Sequence, residues 1–136
     1  VSRTFFTRAH EMASMKLLLG IGGSDDSIRA LERTVERVAE TGDDLTVVIL
    51  RNPATEVDPA TVEERTQTVL DEADLAAAVR HLDGDPGSQL VDLAEREGFD
   101  RIVLGGGETS PMGKIKLGGI AEFVLLNSHV SVTLVR

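Results

Sequence analysis

The sequence predicts an α/β domain: an open, parallel five-stranded sheet with helices on both faces. Three observations carry that expectation. Short apolar runs of strand length, Lys16 to Ile21, Leu45 to Leu50, Ile102 to Leu104 and Val130 to Val135, alternate with segments of helical periodicity. Runs that are apolar throughout belong to strands buried on both faces, and alternation of strand and helix implies right-handed crossovers and parallel neighbours. Two of the runs stop at glycines, Gly22 and Gly23 after the first and Gly105 to Gly107 after Leu104. Finally, 136 residues fit one domain with one sizeable core, burying about two-thirds of the unfolded surface.

Residues 1–14 (VSRTFFTRAHEMAS) precede the first clear strand and lack the continuous apolar core of a secretory signal. They read as a disordered N-terminal extension or expression residue, with Met15 as a natural start and the domain occupying 15–136. After the strand Lys16 to Ile21, Ser24 is a natural helix N-cap, with Asp25 and Asp26 in the favourable first turn. Ile28, Leu31, Val35 and Val38 recur at helical spacing until about Thr41, and Gly42 supplies a left-handed C-terminal residue. Leu45 to Leu50 forms the second strand, broken by Asn52 and Pro53. Asp58 and Pro59 restart a helix in the cap-then-proline order, with Val62, Val69 and Ala73 on its buried face. Leu75 to Leu82 is a third strand, placed by the alternation of elements because its alanines have little β propensity. A turn at Asp83 to Pro86 then opens a helix carrying Leu90, Leu93 and Ala94, which ends at Gly98. The fourth strand, a polar loop and a last helix follow, the helix with Glu122 outward and Phe123 and Val124 inward. The final strand closes the chain at a sheet edge, which invites pairing with a second copy.

Composition excludes several functions. There is no Cys, so disulfides, zinc-thiolate sites and thiol nucleophiles are out, and a reducing, cytoplasmic setting is expected. A net charge of -9 repels nucleic acid and anionic membrane alike. No apolar run approaches the roughly 20 residues of a membrane span. The only lysines are Lys16, Lys114 and Lys116, and acidic residues spread over every helix, a balance that suits a halophile in which salt screens self-repulsion. His10, His81 and His129 show no ligand spacing, so no metal site is expected. Ser24 with Asp25 and Asp26 is explained by capping rather than by nucleophilic chemistry.

The stretch RIVLGGGETSPMGKIKLGGIAEFVLLNSHVSVTLVR, from Arg101 to Arg136, holds the candidate site. Glycines after a strand let backbone approach a ligand, and a helix N-terminus beyond them faces an anion with unpaired N–H groups. A tight turn needing positive φ, or close helix packing at Gly118 and Gly119, explains the same glycines without a ligand. The stretch resembles the C-terminal half of a universal stress protein domain, which carries Gly-x2-Gly-x9-Gly-(Ser/Thr) between its fourth strand and last helix. Gly105 takes the first glycine and Gly118 the third, while Glu108 stands at the second and Gly119 at the hydroxyl position. The segment GDPGSQLVDLAEREGFDRIVLG is also very like the family's.

That resemblance implies the strand order 3-2-1-4-5 of the adenine nucleotide alpha hydrolase-like fold and a stress-related binding or regulatory role. It also implies an ATP crevice formed by Gly22, Gly23, Ser24, Leu50, Gly105, Gly106, Gly107, Glu108, Gly118, Gly119 and Ile120, with Mg as the accompanying ion. Gly22 stands where binding members have an Asp for the base. A carboxylate at Glu108, about 5 Å from a phosphate charge, would cost about 3 kcal/mol at an effective dielectric of 20, against about 0.3–1 kcal/mol returned by a helix N-terminus. Glu108 would therefore hold Mg, or turn to solvent while Thr109, Ser110, Lys114 and Lys116 supply donors. The resemblance further implies a homodimer through the last strand, with Val130, Val132 and Leu134 contributing. No residue demands catalysis. The alternatives are a dimeric interaction protein of the same fold that binds no nucleotide, and a slow ATP hydrolase.

Overall fold

Strand-forming runs and capped helices alternate as the periodicities require. The structure, a computed structural model, describes residues 14–51, 57–106, 108–109, 115–116 and 118–136. The expectations for residues 1–13 and for Gly107, Ser110 and Lys114 lie outside the described residues. In chain order the elements are β1 (Lys16–Ile21), α1 (Asp25–Thr41), β2 (Asp44–Leu50), α2 (Pro59–Glu72), β3 (Ala78–Leu82), α3 (Pro86–Arg96) and β4 (Arg101–Gly105). A small hairpin, β5 (Glu108–Thr109) with β6 (Ile115–Lys116), precedes α4 (Gly119–Asn127) and β7 (Ser131–Val135). The main sheet is parallel in the order β3-β2-β1-β4-β7, which is the expected 3-2-1-4-5 with the hairpin set apart.

Strand alternation divides the core between two faces. Leu17, Leu19 and Ile21 of β1 join Leu45, Val47 and Ile49 of β2 under α1 and α2. Leu18, Val48, Leu50, Ile102 and Leu104 point the other way, under α3 and α4. Each fully buried Leu, Ile or Val contributes about 1.5–3 kcal/mol, which is why β1, apolar on both sides, occupies the middle of the sheet.

Caps fix where the helices begin and end. Ser24 Oγ accepts from the Ser27 N–H at 3.2 Å, Asp58 Oδ1 from Ala60 at 3.2 Å, and Asp85 Oδ2 from Ser88 at 3.0 Å. Gly42 closes α1 at φ 75°, its N–H donating to Val38 O. At the end of α3, Gly98 (φ 69°) lets the Phe99 N–H donate to Ala94 O at 2.9 Å, a Schellman closure that turns Phe99 into the core. Lys16 then locks this turn to β1. Its N–H donates to Asp100 Oδ2 at 2.8 Å, its Nζ donates to Glu97 O at 2.6 Å, and its ammonium lies 4.4 Å from the Phe99 ring centroid.

Four details differ from the sequence reading. β3 begins at Ala78 rather than Leu75, because the Leu75 N–H turns back to Leu70 O and Asp74 takes φ 52° to leave α2. The buried line of α2 is Val62, Thr66 and Leu70, with Val69 and Ala73 at its margin. Thr66 enters because its hydroxyl donates to Val62 O at 2.8 Å, leaving no unpaired group. Phe123 does not face inward but is 39% exposed, lying against Gly87 of α3, where an added Cβ would come within 2.8 Å of its Cδ1. The polar loop after β4 holds the hairpin, whose register partners are Glu108 with Lys116 and Thr109 with Ile115.

Candidate functional site

The C-terminal ends of β1 and β4 lie side by side, and the chain leaves them toward opposite faces, to α1 from the first and to α4 from the second. That divergence makes a crevice at the point where ligands settle in open parallel sheets. Gly22 leads out of β1. Gly23 follows at φ 91°, its N–H donating to Ser27 Oγ at 3.0 Å, while Ser27 Oγ donates to Ser24 O at 2.8 Å. Ser24 and Ser27 thus tie the turn to the first turn of α1, which bears out capping as the work of Ser24. An added Cβ at Gly23 would come within 2.8 Å of Val62 and 3.1 Å of Val57. These two valines stand at the positions before and within the start of α2 that form a hydrophobic staple. Val57 is nevertheless 41% exposed, an apolar surface beside the crevice. Sequence reasoning missed it; its place immediately before the Asp58 cap was the available signal.

Leu50 ends β2 with its side chain buried under α3 and α4, so only its main chain is offered at the crevice. Gly105 is explained by packing. A Cβ there would collide with Asp26 O and come within 2.9 Å of Ser27 Cα, so β4 ends in direct contact with the backbone of α1. Gly106 takes φ 151°, and its N–H donates to Val135 O at 3.2 Å, which commits that donor to the sheet. Two of the glycines expected to cradle phosphate are therefore used by the fold.

Gly118 and Gly119 are different. Gly118 is the N-cap of α4 at φ -72° and ψ 161°, an ordinary conformation for any residue, and among the described residues no side chain caps the helix. Among the described residues nothing lies within 4 Å of a Cβ at either glycine. The Glu122 N–H donates to Gly118 O at 3.0 Å, and the preceding first-turn N–H groups have no partner within the helix. Ile120 is half-buried against the core under α3 and α4, and Glu122 is exposed. The backbone of Glu108 sits in the hairpin opposite Lys116; its side chain, like Gly107, lies outside the described residues. At the far edge, β7 pairs with β4, and Val130, Val132 and Leu134 pack onto the core under α3 and α4.

The profile of the universal stress protein family matches residues 14–136. The chain belongs to the universal stress protein family. Universal stress protein MJ0531 of Methanocaldococcus jannaschii is 36% identical over 55 residues, a stretch that spans 40% of this chain and 32% of that relative. Among solved structures, a universal stress protein in complex with cAMP superposes with a TM-score of 0.69 at 24% identity, covering 90% of this chain and 98% of that one. The universal stress protein from Archaeoglobus fulgidus in complex with dAMP gives 0.63 at 19% identity, covering 92% and 100%. These structures share the fold described above. Among the described residues there is no cluster of three His, Asp or Glu able to hold a metal, and no helix long and apolar enough to cross a membrane.

Proposed function

We propose that this universal stress protein is a regulatory binding module for an adenine nucleotide, with ATP and Mg as the candidate ligand pair. The observation that carries the reading is the start of α4 at Gly118 and Gly119, open and uncapped among the described residues. Room for a ligand and unpaired N–H groups suit a phosphate, and the exposed face of Val57 beside Gly23 suits a base. The relatives seen with cAMP and dAMP support the ligand class. Phosphate contacts then come from the α4 N-terminus rather than from Gly105 and Gly106. The module works in the cytoplasm of a salt-adapted cell, as a homodimer joined along β7. Calorimetric titration with Mg-ATP, of the wild type and of Glu108→Gly, tests the reading. Saturable binding by the wild type upholds it; binding by Glu108→Gly alone shows a site closed by charge, and binding by neither overturns it.

A second reading rests on a different feature. α4 presents Phe123, Leu125 and Leu126 to solvent, the last 77% exposed, and such apolar patches mark contact surfaces. On this reading the chain is a dimeric interaction protein that needs no nucleotide. Leu126→Glu would then abolish capture of its partner while leaving Mg-ATP titration unchanged.

A further inference from the structure

Away from the crevice, a cavity of about 390 Å³ opens between α1 and the β4–β7 side of the sheet. Its walls hold four arginines, Arg33, Arg37, Arg101 and Arg136, against one acid, Asp43, whose Oδ1 already accepts from the Met15 N–H at 2.9 Å. In a chain with 23 Asp and Glu and 14 Lys and Arg, this is a local reversal of charge. The helix side of the cavity continues a single row. Arg29, Arg33 and Arg37 recur every fourth residue, so like charges stack along α1, an arrangement that opposes helix stability. Arg29 is paired with Asp26 at 3.5 Å, whereas Arg33 and Arg37 form no ion pair among the described residues.

The floor gives the second, independent sign. Arg101, at the start of β4, donates from Nη1 to Thr133 Oγ1 at 3.0 Å, but its Nε is buried with no acceptor. A buried guanidinium donor left unmatched is costly, and native folds rarely keep one without use. Thr34 and Thr133 add hydroxyls to the same walls, while Leu17 and Val103 line an apolar side.

We propose that this cavity is a second ligand site, independent of the nucleotide crevice, that binds the phosphoryl group of a small soluble metabolite. Guanidinium groups reach it from α1 and from the sheet, so donors converge from several directions. A phosphoryl group, with three oxygens spread tetrahedrally, can satisfy such a set, whereas a carboxylate is saturated by one planar fork. Arg33 and Arg37 lie about 12 to 18 Å along α1 from its N-terminus at the crevice, so occupancy here does not require occupancy there.

The test is calorimetric titration with inorganic pyrophosphate, with citrate as the carboxylate probe, on the wild type, Arg101→Gln and the double variant Arg33→Gln/Arg37→Gln. The double variant changes exposed helix positions and keeps the fold, so it remains informative if Arg101→Gln fails to fold. We expect one pyrophosphate per chain, bound more tightly than citrate, and an affinity at least about tenfold weaker in the double variant, the loss of a charge-assisted contact. Absence of saturable binding at low salt overturns the proposal, as does unchanged affinity in the double variant. Citrate binding as tightly as pyrophosphate overturns the phosphoryl assignment. Loss of dimer with no loss of pyrophosphate binding, followed by sedimentation, would assign the arginines to a contact between copies instead.

Discussion

Gly105 and Gly118 belong to one sequence motif but face opposite constraints. At Gly105 a methyl group collides with the α1 backbone at Asp26 O, which cannot swing aside as a side chain can. Gly105→Ala is expected to lose about 3 kcal/mol, the upper range for overpacking, measured as a lower urea midpoint at unchanged slope. At Gly118 the backbone is already in a capping conformation with room for a side chain. Gly118→Ser should gain a few tenths of a kcal/mol from the new cap and, on the proposed nucleotide reading, weaken binding, because its hydroxyl would take up a first-turn N–H otherwise offered to phosphate. A rise in melting temperature together with a fall in calorimetric affinity would meet this expectation; a rise in both would remove α4 from the site. The motif's spacing was legible in the sequence, but the reason for each glycine was not. That reason depends on what stands opposite, and the residues opposite Gly105 are those of α1, far away in the chain.

Helices and strands of this domain are legible in the sequence wherever a local signal marks them. Ser24, Asp58 and Asp85 each cap the helix that follows, and the apolar runs of β1, β2 and β4 became inner strands. β3 was harder, since Leu75 and Ala77 belong to the exit from α2 and pack on the core without joining the sheet. The place of Phe123 is not legible locally, because the small size of Gly87, on a different helix, lets the ring lie across α3. Two substitutions separate backbone from packing effects at this scale. Gly98→Ala adds a Cβ into empty space, so it should cost only the left-handed penalty of about 1–2 kcal/mol. Leu90→Ala empties a fully buried position on the inner face of α3 and should cost about 2–5 kcal/mol. Chemical denaturation of both variants would check the difference.

Over the whole molecule, charge sets the response to salt. A net charge of -9 repels itself in dilute buffer, and screening shortens that repulsion from about 10 Å at 0.1 M to about 3 Å at 1 M. The melting temperature should therefore rise as sodium chloride is raised over this range. The arginine-lined cavity between α1 and β7 carries the opposite sign, so pyrophosphate affinity should fall over the same range. A stability that is flat or decreasing with salt would show that self-repulsion does not govern the fold. The balance of charge was plain in the sequence. Its concentration around one cavity was not, because Arg33 and Arg101 meet only when α1 folds over β4.

The central place of β1 also has a consequence for biosynthesis. Its register with β4 joins Leu17 to Arg101, and the Lys16 N–H reaches Asp100 across a sequence separation of 84 residues. At about 5–20 residues per second on the ribosome, the first strand would wait roughly 4 to 17 seconds for its second neighbour to emerge. During that interval Leu17, Leu18 and Leu19 are paired on one side at most. The strand at the centre of the finished sheet is thus the one a nascent chain leaves half-paired longest.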